Sequence, residues 1–135
     1  MICVVVDTNV YVSAVLFGGL PERVFLFAEE GAFTICISPA IAQEIRSVLT
    51  KKFGWSKSAL ADLLDPFLVS LRSVIPSQQV NLAKDRADNE ILACALEAEA
   101  EAIVTGDDHL LKLKAFQGIP IMTPRQFITI KPWRW

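Results

Sequence analysis

"ICVVVDTN" (Ile2–Asn9) begins with five apolar residues, three of them valine, and stops on a carboxylate. A short, β-branched, wholly apolar run is the pattern of a strand buried on both faces, the environment of a parallel sheet. The same pattern returns in "AIVTGDD" (Ala102–Asp108), again an apolar run closing on a small polar residue and aspartate. Working outward from these two runs, "FTICIS" (Phe33–Ser38), "SVIP" (Ser73–Pro76) and "IPIM" (Ile119–Met122) read as further strands.

The segments between them read as helices. A short helix is expected from about Val10 to Phe17, ended by Gly18 and Gly19, followed by another in "LPERVFLFAEEG" (Leu20–Gly31). Ser38 is a natural N-cap with Pro39 at the first helical position and Gly54 past the end. Leu60, Leu63, Leu64, Phe67, Leu68 and Leu71 follow helical spacing, with Pro66 expected to break or kink the run near Leu64. "DRADNEILACALEAEA" (Asp85–Ala100) is an Ala-rich helix, "DDHLLKL" (Asp107–Leu113) a short one, and Thr123–Pro124 open the last.

Alternating strands and helices imply βαβ units. The expected fold is α/β, one three-layer α/β/α domain over residues 1–135 with a mainly parallel sheet of four to five strands. The ending "KPWRW" (Lys131–Trp135) is a possible tail, packed or loose, whose aromatic and basic residues would also suit base stacking and phosphate contact.

Composition narrows the function. The 135 residues are 53% hydrophobic with a mean hydropathy of +0.41, a surplus that suggests an apolar face covered by a second chain. No apolar run reaches the ~18–20 residues of a membrane helix, and the first run is too short for a signal-peptide core, so a cytoplasmic protein is expected. Three cysteines, Cys3, Cys36 and Cys94, are widely spaced with no CxxC pair, which reads as buried reduced thiols. Net charge is −2, yet its distribution is uneven. Asp85, Asp88, Glu90, Glu97, Glu99, Glu101, Asp107 and Asp108 face Arg86 alone, and beyond Asp108 come only bases. Such a layout serves a site that holds cations and meets a polyanion, or is surface charge without a role.

Parallel strands place Asp7 and Asp107 on one sheet edge, where ligand sites form in open α/β sheets. Glu44 lies on the margin of the Ile41, Ile45, Val48 and Leu49 stripe, and Asp88 opens the helix before the fourth strand. Each has an ordinary alternative. Asp7 can cap the helix that follows it, Glu44 can be solvated, Asp85 and Asp88 can be a cap and its acidic first turn, and Asp107 or Asp108 can cap the next short helix. Gathered together they cannot all stay charged unaided, since two like charges ~4 Å apart repel by about 4 kcal/mol at an effective dielectric near ~20. An all-oxygen donor set suits Mg²⁺ or Mn²⁺. His109 is the only histidine and is not needed as a ligand, which argues against zinc.

"VVVDTNVYVSA" (Val4–Ala14), "SPAIAQEI" (Ser38–Ile45), "DRADNEILACALEAEAEAIVTGDDHLL" (Asp85–Leu111) and "GIPIMTPRQFI" (Gly118–Ile128) together resemble the PIN-domain family. They are similar in particular to its small single-domain members that act as toxins of toxin–antitoxin pairs. The resemblance implies a metal-dependent ribonuclease in which Asp7, Glu44, Asp88 and Asp107 match the four acids. It implies that Asn9 and Thr105 support them or bind phosphate, and that Asp85 orders the helix start or serves as an additional acid. His109 stands where close relatives carry a further acid, and Asp108 is an additional candidate acid one place earlier. The implied partners are an RNA substrate, a second copy of the chain and a cognate antitoxin protein. Two other functions fit the residues less fully: a non-catalytic PIN-like module binding RNA or protein, and phosphoryl transfer onto Asp7. Phosphatases of the second kind usually carry another Asp where this chain has Asn9.

Overall fold

The computed structural model describes residues 2–134, so Met1 and Trp135 lie outside the described residues. The chain starts with β1 (Cys3–Val6), all four of whose residues are buried, and turns directly into α1 (Thr8–Phe17). Gly18 and Gly19, both at positive φ (71° and 70°), stop this helix and start α2 (Gly19–Glu29). Glycine adopts that backbone without the Cβ penalty other residues meet.

β2 (Thr34–Ile37) leads into α3 (Pro39–Phe53), where Ser38 Oγ accepts from the Ile41 amide at 3.3 Å. Gly54 closes α3 in the left-handed conformation, as glycine commonly does past a helix end. The Leu-rich segment does not break at Pro66. It runs from α4 (Lys57–Ala59) through a π turn (Leu60–Leu64) into α5 (Asp65–Val69). The π turn takes up the register change that Pro66, lacking an amide hydrogen, would otherwise force as a break. Arg46 on α3 donates to Asp65 at 2.5 Å and ties the two segments together.

β3 is only Arg72–Ser73, after which an irregular stretch leads to α6 (Arg86–Ala98). Then come β4 (Ala102–Val104), α7 (Asp108–Leu111), β5 (Ala115–Phe116), β6 (Ile119–Met122), α8 (Pro124–Ile130) and a final 3-10 turn (Pro132–Arg134). Thr123 and Gln126 form a reciprocal capping box at the start of α8. The sheet has six strands rather than four to five, in the order β3-β2-β1-β4-β6-β5. The extra strand is β5, two residues long and antiparallel to β6 across a turn at Gln117 and Gly118; every other pairing is parallel.

From β1 the chain fills one side of the sheet with β2 and β3, then crosses to β4 and β6 on the other. The order therefore reverses between β1 and β4, which sit side by side with Val4, Val5 and Val6 opposite Ala102, Ile103 and Val104. A crevice at the carboxyl ends of two such strands is where ligands bind in open α/β sheets.

The core packs the central strands against Tyr11, Ile41, Ile45, Leu49, Ile91, Leu92 and Leu110, all essentially inaccessible. Trp133 packs on Phe27, Phe33 and Phe127 with ring centroids 5.0–5.4 Å apart, so the described part of the C-terminal segment is docked. No single helix among the described residues is long and apolar enough to cross a membrane; the apolar α1–α2 pair is bent by 100°. The reading of three reduced cysteines needs correction. β1–β2 register sets Val5 opposite Cys36, so Cys3 and Cys36 are diagonal neighbours on one sheet face, and their sulfurs are joined as a disulfide. Cys94 is free and buried.

Candidate acidic site at the sheet edge

The β1–β4 crevice is built around Asp7, Thr105, Asp107 and Asp88. Asp7 occupies the N-cap position of α1 with extended backbone, but its side chain forms no cap bond. Instead Asp7 Oδ2 accepts from the Thr105 hydroxyl at 2.7 Å, and Thr105 Oγ1 accepts from the Asp107 amide at 2.9 Å. The backbone fixes this relay: the Asp7 amide donates to the Val104 carbonyl and the Thr105 amide to the Met122 carbonyl, both at 2.9 Å. Thr105 is fully buried and Asp7 nearly so.

Asp107 caps α7, accepting from the His109 amide at 2.8 Å. The exposed His109 ring stands with Nδ1 3.4 Å from the same carboxylate. Asp88 comes from the first turn of α6 and is buried. Asp85, exposed, caps that helix by accepting from the Ala87 amide at 2.9 Å, the helix-ordering role expected of it.

The three inward acids feel one another. Burial, then the neighbouring charges of Asp107, Asp7 and Asp85, push the Asp88 carboxyl up to about 6. Burial also raises Asp7, opposed by the Thr105 hydroxyl and the nearby amides of Thr8 and Asn9, and reinforced by Asp107. Strongly shifted acids clustered in a crevice are a pattern of functional sites.

Glu44 stands apart. It is half-buried on α3 and lines a cavity of about 450 Å³ with Thr8, Asp85, Arg86 and Glu90, next door to the three aspartates rather than among them. Asn9 is exposed and meets the site through its backbone; Asp108 is exposed on the first residue of α7. Sequence reasoning missed Thr8, a buried polar residue between Asp7 and the Glu44 cavity. Its signal is its position directly after the strand-ending acid.

Among the described residues, no group of three or more His, Cys, Asp or Glu is already arranged to hold a metal ion. The donor chemistry nonetheless fits a hard divalent cation: Asp7, Asp88 and Asp107 offer only oxygen, and their mutual repulsion is what a cation would relieve.

Comparison with known proteins agrees with the fold. The family model described as PIN domain matches residues 3–109. A protein of Methanocaldococcus jannaschii, MJ1680, itself uncharacterized, is 28% identical over 138 residues, spanning 93% of this chain and 88% of that one. Among solved structures, VapBC2 from Rickettsia felis bound to a DNA fragment from its promoter superposes with a TM-score of 0.66 at 21% identity, covering 90% of this chain and 98% of that chain. PAE2754 from Pyrobaculum aerophilum gives 0.63 at 15% identity, covering 96% and 89%.

Proposed function

The chain belongs to the PIN-domain family, and on that premise we propose that it is a metal-dependent endoribonuclease, the toxin of a toxin–antitoxin pair acting in the cytoplasm. The observation that carries this reading is the convergence of Asp7, Asp88 and Asp107 at the β1–β4 switch point, where burial and the neighbouring acids push the Asp88 carboxyl up to about 6.

The reaction adds water across a phosphodiester bond: its hydroxyl joins phosphorus and its proton ends on the departing ribose oxygen. Asp7, Asp88 and Asp107 are the residues that would hold Mg²⁺ or Mn²⁺, and Glu44 lines the adjoining cavity. Bound there, the ion supplies Lewis-acid chemistry, making water a stronger acid and offsetting charge on the phosphate. The chain's own part is positioning. Thr105 fixes one oxygen of Asp7. Asp107 is oriented by the His109 amide, and its own amide is held by Thr105. Asp88, whose carboxyl burial pushes up to about 6, would bind such an ion as the carboxylate.

The partner reading rests on apolar surface. Leu26 and Leu63 are 46% and 64% exposed, and they border a groove with Phe25, Trp55 and Phe67. An antitoxin segment or a second copy of the chain would cover it. The superposition on VapBC2 supports a partnered protein of this kind.

The test is cleavage of mixed single-stranded and structured RNA by purified protein in EDTA, Mg²⁺ or Mn²⁺. Metal-dependent cutting is expected. A folded protein that cuts nothing with either metal points instead to a module that binds RNA or protein without cleaving.

A further inference from the structure

Beside the acidic crevice lies a larger cavity, about 610 Å³, between α6 and the irregular stretch that precedes it. That is within the ~300–1,000 Å³ range of ligand sites. Its floor is one face of α6, where Arg86, Asn89, Glu90 and Ala93 follow at helical spacing. Asp88, Ile91, Leu92 and Ala95 on the same helix are buried. One helix thus carries an acid into the crevice and the wall of a second site, over about 10 Å from Arg86 to Ala93.

The cavity is formed by specific bonds. Asn89 holds Ala83 at both ends, its Oδ1 accepting from the Ala83 amide at 2.8 Å and its Nδ2 donating to the Ala83 carbonyl at 2.9 Å. Glu97 accepts from the Ser77 amide at 2.8 Å at the other end of the loop. Between these anchors Gln78, Gln79 and Asn81 line the opening, with Lys84 just past Ala83, and all four are exposed. Neither Lys84 nor Arg86 makes an ion pair among the described residues. Arg86 and Glu90 line both this cavity and the one holding Thr8 and Glu44, so the two meet there.

We propose that this cavity is a nucleotide-recognition subsite for single-stranded RNA flanking the cleaved bond, with Lys84 and Arg86 on phosphates and the amides of Gln78, Gln79 and Asn81 on base edges. It rests on the ribonuclease reading above. The chemistry favours this ligand. The lining carries two cations, Lys84 and Arg86, against one acid, Glu90. The cations can neutralise phosphates, while side-chain amides present donor and acceptor together, as an unstacked base requires. The lining has no aromatic ring, so recognition would come from hydrogen bonds rather than stacking and carry base preference.

The test measures binding of a short mixed-sequence single-stranded RNA to the Asp107→Asn protein across salt concentrations, by fluorescence anisotropy. Added Lys84→Gln and Arg86→Gln changes should reduce the salt slope by about 1.4, at ~0.7 for each phosphate no longer neutralised. Lys51→Gln with Lys52→Gln, the same charge change at the far end of α3, should leave it unchanged. In the otherwise wild-type protein, Gln79→Ala with Asn81→Ala should relax base preference beside the cut. An unchanged slope in the Lys84/Arg86 variant, or an equal fall in the Lys51/Lys52 variant, overturns the subsite, while RNA cutting by the wild-type protein upholds the ribonuclease. A folded wild-type protein that neither binds nor cuts RNA overturns both.

Discussion

The Thr105 hydroxyl donates to Asp7 Oδ2 at 2.7 Å, joining the ends of two adjacent strands across 98 positions of sequence. The same oxygen accepts from the Asp107 amide at 2.9 Å, so one buried side chain sets two of the three inward acids. Thr105→Val keeps the shape and removes both bonds. It should cost about 1–2 kcal/mol of stability and roughly 10–100-fold in cleavage or metal affinity, as removal of supporting groups does. Thr105→Ser should recover most of both. Denaturant midpoints and cleavage rates for the pair check this, and full activity in the valine variant would contradict it.

The acids also make stability depend on pH. Asp88 titrates at about 6 in the folded protein against 3.8 ordinarily. Between these values the unfolded chain has released its proton while the folded one keeps it, so stability falls as pH rises, and above the folded value the cost is constant. Asp7 acts in the same direction. In EDTA, Asp88→Asn should therefore flatten the decline between about pH 4 and about pH 6 and be more stable at neutral pH by about 1–2 kcal/mol. Urea midpoints against pH decide it; a variant less stable than wild type at neutral pH contradicts the burial argument.

Tyr11 is fully buried against Phe25 and Phe67, and its hydroxyl has no hydrogen-bond partner among the described residues. Burial accordingly raises its phenol. Tyr11→Phe keeps the ring and removes the unpaired group, so stability should hold or rise by up to about 1 kcal/mol. A clear loss in thermal or chemical denaturation would mean the hydroxyl has a partner after all.

Asn89 should act on the loop rather than on the core. Asn89→Ala removes both bonds to Ala83, at a cost of about 1–2 kcal/mol, and local opening should speed amide exchange through the loop before α6. Hydrogen exchange at Ala83 reads this directly. Unchanged protection there would show that the loop is held by something else.

Much of this was legible in the sequence, for physical reasons that also explain what was not. Two apolar runs ending in acids announced β1 and β4, because a buried parallel strand has no polar alternation to obscure it. Their common direction then put Asp7 and Asp107 on one edge. β5 left no such trace: two residues turned back by a left-handed Gln117–Gly118 pair carry no periodicity. The Cys3–Cys36 pairing depends on register between strands, which spacing along the chain does not encode. Glu44 was read correctly onto a helix margin, but its angle to the crevice follows from how α3 packs. The role of Thr105 was implied only by the family resemblance; its hydrogen bonds needed the β1–β4 pairing.

Calorimetric titration of Mn²⁺ into the wild-type and Asp107→Asn proteins tests most directly whether the aspartates form a cation site. Binding to the wild type is expected, with proton release that grows as pH falls toward about 6, where Asp88 keeps its proton. Asp107→Asn should bind at least ~10-fold more weakly. Equal affinity in both proteins, or no binding to a folded wild type, would contradict a cation site built from these acids.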